Sequence, residues 1–314
     1  MRVMVIGATG AVGTPLVRQL CDAGHEVIGT SRSQARATHL ATMDVHPIVL
    51  DVLDRAAVHN AVAASQPQAI IYQATGLAGV RVLRSLDRPF ATTNRLRTEG
   101  LDNVLDAAQQ TGVRRILAQS FAPYRYARDG GWVKTEDDPL DPAPPPSARQ
   151  TFAAMSHLDR AVTEAGGIAL RYGGFYGPGD EGLTRAVRKR QAPLVGNGQG
   201  AMSFVHLDDA AAATVLALSH DGPAIYNIVD NDPAPMREWL PVLAQAVGAK
   251  PPRHVPTWLA RVIAGPGLTM LTDARGSSNA KAVRELGWQP RYPSWREGFA
   301  AAYGEHPSTA SRFS

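Results

Sequence analysis

Three glycines spaced three apart, Gly7, Gly10 and Gly13, stand between a short β-branched run, Arg2 to Ile6, and a stretch carrying Leu16, Val17 and Leu20 at helical spacing. At a strand-to-helix turn, residues without side chains let backbone N–H groups approach a pyrophosphate at the positive end of the helix, so Gly7, Thr9, Gly10, Ala11, Val12 and Gly13 read as a dinucleotide-binding turn. A second candidate is Ser120, a hydroxyl at the end of another apolar run, where a parallel strand would present it to the ligand crevice. His206 and Asp208 could form a dyad, but a spacing of two at a strand-to-helix junction better suits a structural hydrogen bond. The basic run Arg185, Arg188, Lys189 and Arg190 reads as a solvated helix face, with an acidic substrate or a cofactor phosphate as the alternative. The nine histidines lack paired ligand spacing, so no metal site is expected.

The elements that must position these groups alternate. Strands are expected at Arg2 to Ile6, His25 to Thr30, Pro47 to Leu50, Ala69 to Tyr72, Arg115 to Ala118 and Ile168 to Arg171, with segments long enough for crossover helices between them. Such spacing specifies an α/β fold, a doubly wound parallel sheet of at least six strands covered on both faces. Five prolines between Pro139 and Pro146 impose an extended loop. After Arg171 the alternation breaks into glycine-rich insertions, Tyr172 to Gly182 and Pro193 to Gly200, around a helical Thr184 to Gln191. Asp208 and Asp209 are expected to cap a helix over Ala210 to Leu218, and Ala224 to Val229 returns as the last strand. The organisation expected is a Rossmann-type cofactor domain of residues 1–171 plus about 203–232, a smaller C-terminal substrate lobe from about 172–202 and 233–305, and a frayed tail at 306–314.

The spacing G-x-x-G-x-x-G, together with motifs farther on, resembles the extended short-chain dehydrogenase/reductases, and within them the NAD-dependent epimerase/dehydratase family. Asp51-Val52 looks like that family's adenine-contacting pair, and Gln73-Ala74-Thr75 like the end of its fourth strand. Asn94 with Thr98-Glu99-Gly100 resembles its "N-x-x-G-T" helix, and Ala118-Gln119-Ser120 its fifth-strand serine segment. Arg171-Tyr172-Gly173-Gly174-Phe175-Tyr176-Gly177-Pro178-Gly179 is similar to "RPxxVYGPG", Phe204 to Asp209 to "FVHVDD", and Leu286 to Pro290 to "LGWxP". The resemblance implies a nicotinamide dinucleotide held by these residues, Tyr172 standing close to the nicotinamide. Where NAD-specific members end the second strand in a carboxylate, this chain has Ser31 followed by Arg32, with Ser33 and Arg36 nearby; this favours NADP(H), whose 2′-phosphate an arginine can hold.

The departure from the family lies in the proton-transfer pair. Thr151 stands where the tyrosine of Tyr-x-x-x-Lys belongs and Met155 where the lysine belongs, so the chain resembles an atypical member. Tyr124, Tyr126, Lys134 and Tyr172 are the candidates for a relocated acid, Tyr124 first because it holds the family's "S-x-x-x-Y" position, with Ser120 binding the substrate oxygen. Arg149 and His157, which flank the altered segment, read as surface positions. The activity expected is an NADP(H)-dependent oxidoreductase on a small carbonyl or alcohol. The alternatives are a redox-neutral lyase, isomerase or cyclase on the same fold, or a non-catalytic NADP(H)-sensing protein.

Composition bounds these readings. The 314 residues are 44% hydrophobic and 19% charged, which excludes a disordered chain, and 32 Lys+Arg against 28 Asp+Glu give too modest a balance to argue for nucleic acid. No apolar run suits a membrane span and no signal-peptide pattern opens the chain, while the lone Cys21 reads as a packing residue; a cytoplasmic protein acting on a small molecule, with room for a homodimer, is the expectation.

Overall fold

A computed structural model describes residues 1–77, 85–179, 182–264 and 268–304. The expected tail, 306–314, and Asp180 and Glu181 of the first glycine-rich insertion lie outside the described residues.

Seven strands form the main sheet: β1 (Arg2–Ile6), β2 (Glu26–Ser31), β3 (His46–Val49), β4 (Ala69–Tyr72), β5 (Arg115–Phe121), β6 (Ile168–Tyr172) and β7 (Ala224–Ile228). Their order is β7-β6-β5-β4-β1-β2-β3 and every pairing is parallel. The order reverses at β1, and ligands bind where the C-terminal ends of strands splay apart at such a reversal. All the strands expected are present, within a residue or so of their ends except at β5. That strand runs three residues beyond the expected end, because Gln119, Ser120 and Phe121 pair with Leu170, Arg171 and Tyr172.

Burial on both faces explains the nearly continuous apolar strands. One face packs Val3, Val5, Leu117 and Leu170 against the helices Gly13–Asp22 and Leu207–Ala217 and against Trp288. The other packs Met4, Ile6, Ile70 and Ile116 against Arg55–Ser65, Leu101–Thr111 and Arg149–Glu164. The helix Asp87–Arg95 runs into Leu101–Thr111 through a π-turn, Leu96–Gly100. A Cβ at Gly100 would meet the Tyr72 hydroxyl at 2.8 Å, and that hydroxyl donates to the Leu96 carbonyl at 2.6 Å, so the opened turn gives Tyr72 both room and a partner.

The C-terminal third has its own aromatic core. Tyr176, Phe204, Trp239, Trp295 and Phe299 pack together, several of them edge to face. The helix after Phe204 begins at Leu207, three residues earlier than expected, and its cap is His206, whose Nδ1 accepts from the Asp208 N–H at 3.1 Å. Asp209 caps nothing there; its carboxylate accepts from the N–H groups of Arg291 and Tyr292 and so pins the C-terminal segment to the helix Leu207–Ala217. The acidic pair was expected to cap because side-chain type alone does not say which neighbouring N–H it will meet.

Candidate active site

The glycine turn is built by backbone contact. Gly7 has φ +87°, a conformation that favours glycine, and a Cβ there would stand 2.9 Å from the Gln73 carbonyl. A Cβ at Gly13 would stand 2.2 Å from the Gly7 carbonyl oxygen, so the helix Gly13–Asp22 starts against the turn itself. That helix has no side-chain cap and no acid in its first turn, which leaves its N–H groups for a ligand. Gly10 and Ala11 are exposed, while Ala8, Val12 and Gly13 are buried beneath them. A dinucleotide fits this cradle.

At the end of β2, Ser31 is buried and its Oγ accepts from the Ser33 N–H at 3.2 Å and from the Thr9 hydroxyl at 3.4 Å. Thr9 thereby ties the turn to β2. Arg32 and Arg36 are exposed, and among the described residues neither is ion-paired. The other residues assigned to the cofactor lie at strand ends or on the neighbouring helix. Asp51 is exposed and its carboxylate accepts from the Leu53 N–H, while the Val52 carbonyl accepts from Asn103. Gln73 is buried below half-buried Ala74 and Thr75, and Gln119 is buried on β5. Two buried oxygens, Gln73 Oε1 and Asn94 Oδ1, have no partner among the described residues. Acceptors left in that state suit a polar ligand at the strand ends.

The segment holding Thr151 and Met155 faces apolar neighbours. Met155, Phe152 and Ala148 are buried and pack with Leu86, Phe121, Tyr124 and Met270. Thr151 is buried, and its Oγ1 accepts from Asn94 Nδ2 at 3.1 Å. Asp87 caps the helix Arg149–Glu164 from outside, accepting from the N–H groups of Thr151 at 2.7 Å and Gln150 at 3.1 Å. Tyr124 has φ +67°, unusual for a bulky side chain, and its hydroxyl donates to Met202 Sδ at 3.7 Å. Burial pushes the Tyr124 phenol above its ordinary pKa.

Ser120 does not open onto this pocket. It is completely buried, and its Oγ accepts from Arg125 Nη1 at 3.1 Å. Arg125 also reaches Asp159 Oδ2 at 2.9 Å, and Arg171 Nε meets the same oxygen at 2.9 Å. Burial raises the Asp159 pKa, but the two guanidiniums outweigh it and hold the carboxyl below its usual range. Arg97 is buried nearby, and desolvation with the Arg125 charge lowers its pKa to about 10. On β5 the Ser120 side chain is turned toward the helix Arg149–Glu164, which also carries Thr151 and Met155, and Arg125 closes over it.

The remaining acid candidates are already engaged. The Tyr126 hydroxyl donates to Asn227 Oδ1 at 2.8 Å and accepts from Arg171 at 3.2 Å. Lys134 Nζ donates to the Asp129 carbonyl at 2.8 Å and pairs with Asp138 at 3.2 Å. The Tyr172 hydroxyl accepts from Gln73 at 3.1 Å and bonds Thr214 Oγ1 at 2.6 Å, with burial lifting its pKa to about 12. His206 and Asp208 are joined by the structural hydrogen bond expected of them. Arg188 and Arg190 donate to the carbonyls of Val247 and Pro251, and His157 pairs with Asp102 at 2.7 Å on the helix surface. Among the described residues no group of three or more His, Cys, Asp or Glu could hold a metal, and no helix is long and apolar enough to cross a membrane. Phe121, Met202, Met270 and the Arg125–Asp159–Arg171 network escaped the sequence reading, since nothing in their spacing marks them.

A reversal-point crevice with a glycine cradle defines a dinucleotide-binding oxidoreductase of the short-chain dehydrogenase/reductase type. Residues 3–229 match the NAD dependent epimerase/dehydratase family, and the chain belongs to it. It is 42% identical to a 3-diazoavenalumate denitrifying reductase of a Streptomyces species over 95% of this chain and 99% of that one. It is 29% identical to a 2-alkyl-3-oxoalkanoate reductase of Stenotrophomonas maltophilia over 79% and 76% of the two chains. Among solved structures it resembles UDP-glucose 4-epimerase of Thermus thermophilus in complex with NAD, with TM-score 0.72, 24% identity and coverage of 99% of this chain and 100% of that one.

Proposed function

We propose that this chain is an NADP(H)-dependent reductase that replaces the diazo group of an aromatic compound by hydrogen. The observation that carries the reading is the apolar packing of Phe121, Phe152 and Met155 where the family places its proton-transfer groups. The likeness to the 3-diazoavenalumate denitrifying reductase supports it. When bound, the reduced nicotinamide supplies a hydride, and with an aryl diazonium this hydride becomes the hydrogen of a new C–H bond as the C–N bond breaks and dinitrogen leaves, with no proton taken from the protein.

The residues present suit such an electrophile. A neutral amine at position 155 would attack a diazonium to give a triazene, and a phenolate would couple to it; Met155 offers no amine and Thr151 no phenol. Tyr124 is a phenol in the pocket, and burial keeps it protonated. Leu86, Phe121 and Phe152 exclude the water that would hydrolyse the diazonium. The glycine turn would hold the pyrophosphate, and Ser31, Arg32 and Arg36 the 2′-phosphate.

The deciding experiment is anaerobic incubation with NADPH deuterated at C4 and an aryl diazonium salt, following dinitrogen by mass spectrometry and deuterium in the arene. Equal amounts of NADP+, dinitrogen and deuterated arene are expected; dinitrogen evolved no faster than with NADPH alone would sink the proposal. A small carbonyl is the second reading, supported by Tyr124, whose hydroxyl has a thioether as its one partner among the described residues, and by the likeness to an oxoalkanoate reductase. Carbonyl-dependent NADPH oxidation that Tyr124→Phe abolishes would favour it.

A further inference from the structure

The turn after β5 carries one residue of the pocket in an unfavourable backbone conformation. Tyr124 has φ +67°, and a bulky side chain keeps such a conformation only where its surroundings hold it there. Its ring packs against the cluster of Ala148, Phe152 and Met155, as does Phe121 three residues earlier. The residue that follows Tyr124 is Arg125, and its side chain is buried.

Arg125 folds back beneath the turn. Its Nη1 donates to Ser120 Oγ at 3.1 Å and to the Phe121 carbonyl at 3.2 Å, so one guanidinium ties the two ends of the turn together. The same nitrogen meets Asp159 Oδ2 at 2.9 Å, and Nη2 stands 3.5 Å from Ser156 Oγ. Ser156 and Asp159 follow Phe152 and Met155 at helical spacing on Arg149–Glu164. One helix therefore supplies the apolar wall and, a turn farther on, the anchor for Arg125.

Charge balance does not require this arginine. Arg171 Nε already meets Asp159 Oδ2 at 2.9 Å, and Arg97, buried nearby, has no partner for Nε or Nη1 among the described residues. Three buried guanidiniums thus share one carboxylate, and a second cation on Asp159 adds repulsion where the first had supplied neutralisation. What Arg125 adds is the bond to the Phe121 carbonyl, made by a planar fork that can hold a turn and a helix at once.

We propose that Arg125 is the positioning residue of this pocket: it fixes Phe121 and Tyr124 against the helix that bears Met155, and so sets the wall on which the substrate lies. It is buried behind that wall and acts through Tyr124. The positioning is the same for denitrification and for carbonyl reduction, and only the kinetic expectation below rests on the reductase reading.

The test is fluorine NMR of protein labelled with 3-fluorotyrosine, in which Tyr124 is the resonance, among eight tyrosines, that Tyr124→Phe removes. Arg125→Met keeps an apolar stem and loses every donor. It is expected to shift the Tyr124 resonance toward that of the free amino acid and to open it to broadening by a soluble gadolinium chelate. The resonances of Tyr176 and Tyr292, in the aromatic core of the C-terminal third, should stay in place. Arg125→Lys, which keeps the charge without the fork, should shift Tyr124 in the same direction by less. Arg97→Met, which removes a neighbouring buried charge but no bond to the turn, should leave it unmoved. With the diazonium salt as substrate, Arg125→Met should raise KM by about tenfold and change kcat far less, as expected of lost substrate contact. A Tyr124 resonance that stays put in Arg125→Met, that moves only together with Tyr176 and Tyr292, or that moves as far in Arg97→Met would overturn the assignment. Failure to release dinitrogen would sink the reductase reading and leave the NMR result standing.

Discussion

The glycine turn after β1 and the pocket after β5 lie at the same end of one sheet, yet they depart from the family pattern to opposite degrees. Around Gly7, Gly10 and Gly13 the backbone makes the site, and a Cβ at Gly13 has nowhere to go. After β5, side chains make the site: Phe121 and Met155 pack together in it, with Thr151 buried one helical turn before Met155. A cradle for a phosphate has few geometric solutions, whereas a pocket wall has many. Hydride delivery depends on the first region and proton transfer on the second, so a chain can retain one and rebuild the other.

The rebuilt pocket leans on buried charge, and the largest expected effect comes from breaking it. Asp159→Asn leaves Arg125 and Arg171 facing one another without a counter-ion and should cost about 3–5 kcal/mol, read from denaturant unfolding. The sign of the pH dependence follows from the lowered Asp159 pKa. Its stabilisation is present above the ordinary carboxylate range and is lost as pH falls through the lower, folded-state value, so the variant's deficit should shrink in strong acid.

Damage to the other region should separate binding from folding. Gly13→Ala forces the helix away from the Gly7 carbonyl and should weaken NADPH binding by about 100-fold or more in a fluorescence titration, with the circular dichroism spectrum little changed. Restoring the family pair sharpens the contrast from the opposite side. Thr151→Tyr with Met155→Lys puts a phenol and an amine beside the electrophile, so native turnover should fall by about tenfold from overpacking and desolvation alone, and intact-protein mass should show covalent addition of the diazonium. A double variant that instead reduces carbonyls and gains no adduct would argue that the pocket lost its chemistry without replacing it.

Two smaller effects remain. Arg32→Ala should weaken NADPH by about tenfold and leave NADH unchanged in the same titration, because the exposed guanidinium would meet only the 2′-phosphate. Tyr124→Phe should alter denitrification by less than about threefold, since that step draws no proton from the phenol; under the carbonyl reading the loss would be about 100-fold.

Strand–turn–helix periodicity and the glycine spacing laid out the parallel sheet and its first turn before any coordinates, because apolar period and backbone sterics are local properties. That Thr151 and Met155 offer neither a phenol nor an amine was equally legible, being a matter of residue type. What packs around them was not. Ser120 carried a residue type suited to a site, but that Arg125 would donate to its hydroxyl depends on how the loop after β5 folds back. Asp209, expected to cap its helix, instead accepts from Arg291 for the same reason: the N–H that a side chain meets is set by packing.

The sequence by itself determined the fold class and the cofactor cradle, both of which follow from local spacing and from which side chains are present. Only the tertiary structure decided that Arg125, Arg171 and Asp159 converge behind Ser120 and that Tyr124 meets Met202. Those contacts join residues from 12 to 78 positions apart, and no period in a sequence encodes a distance of that kind.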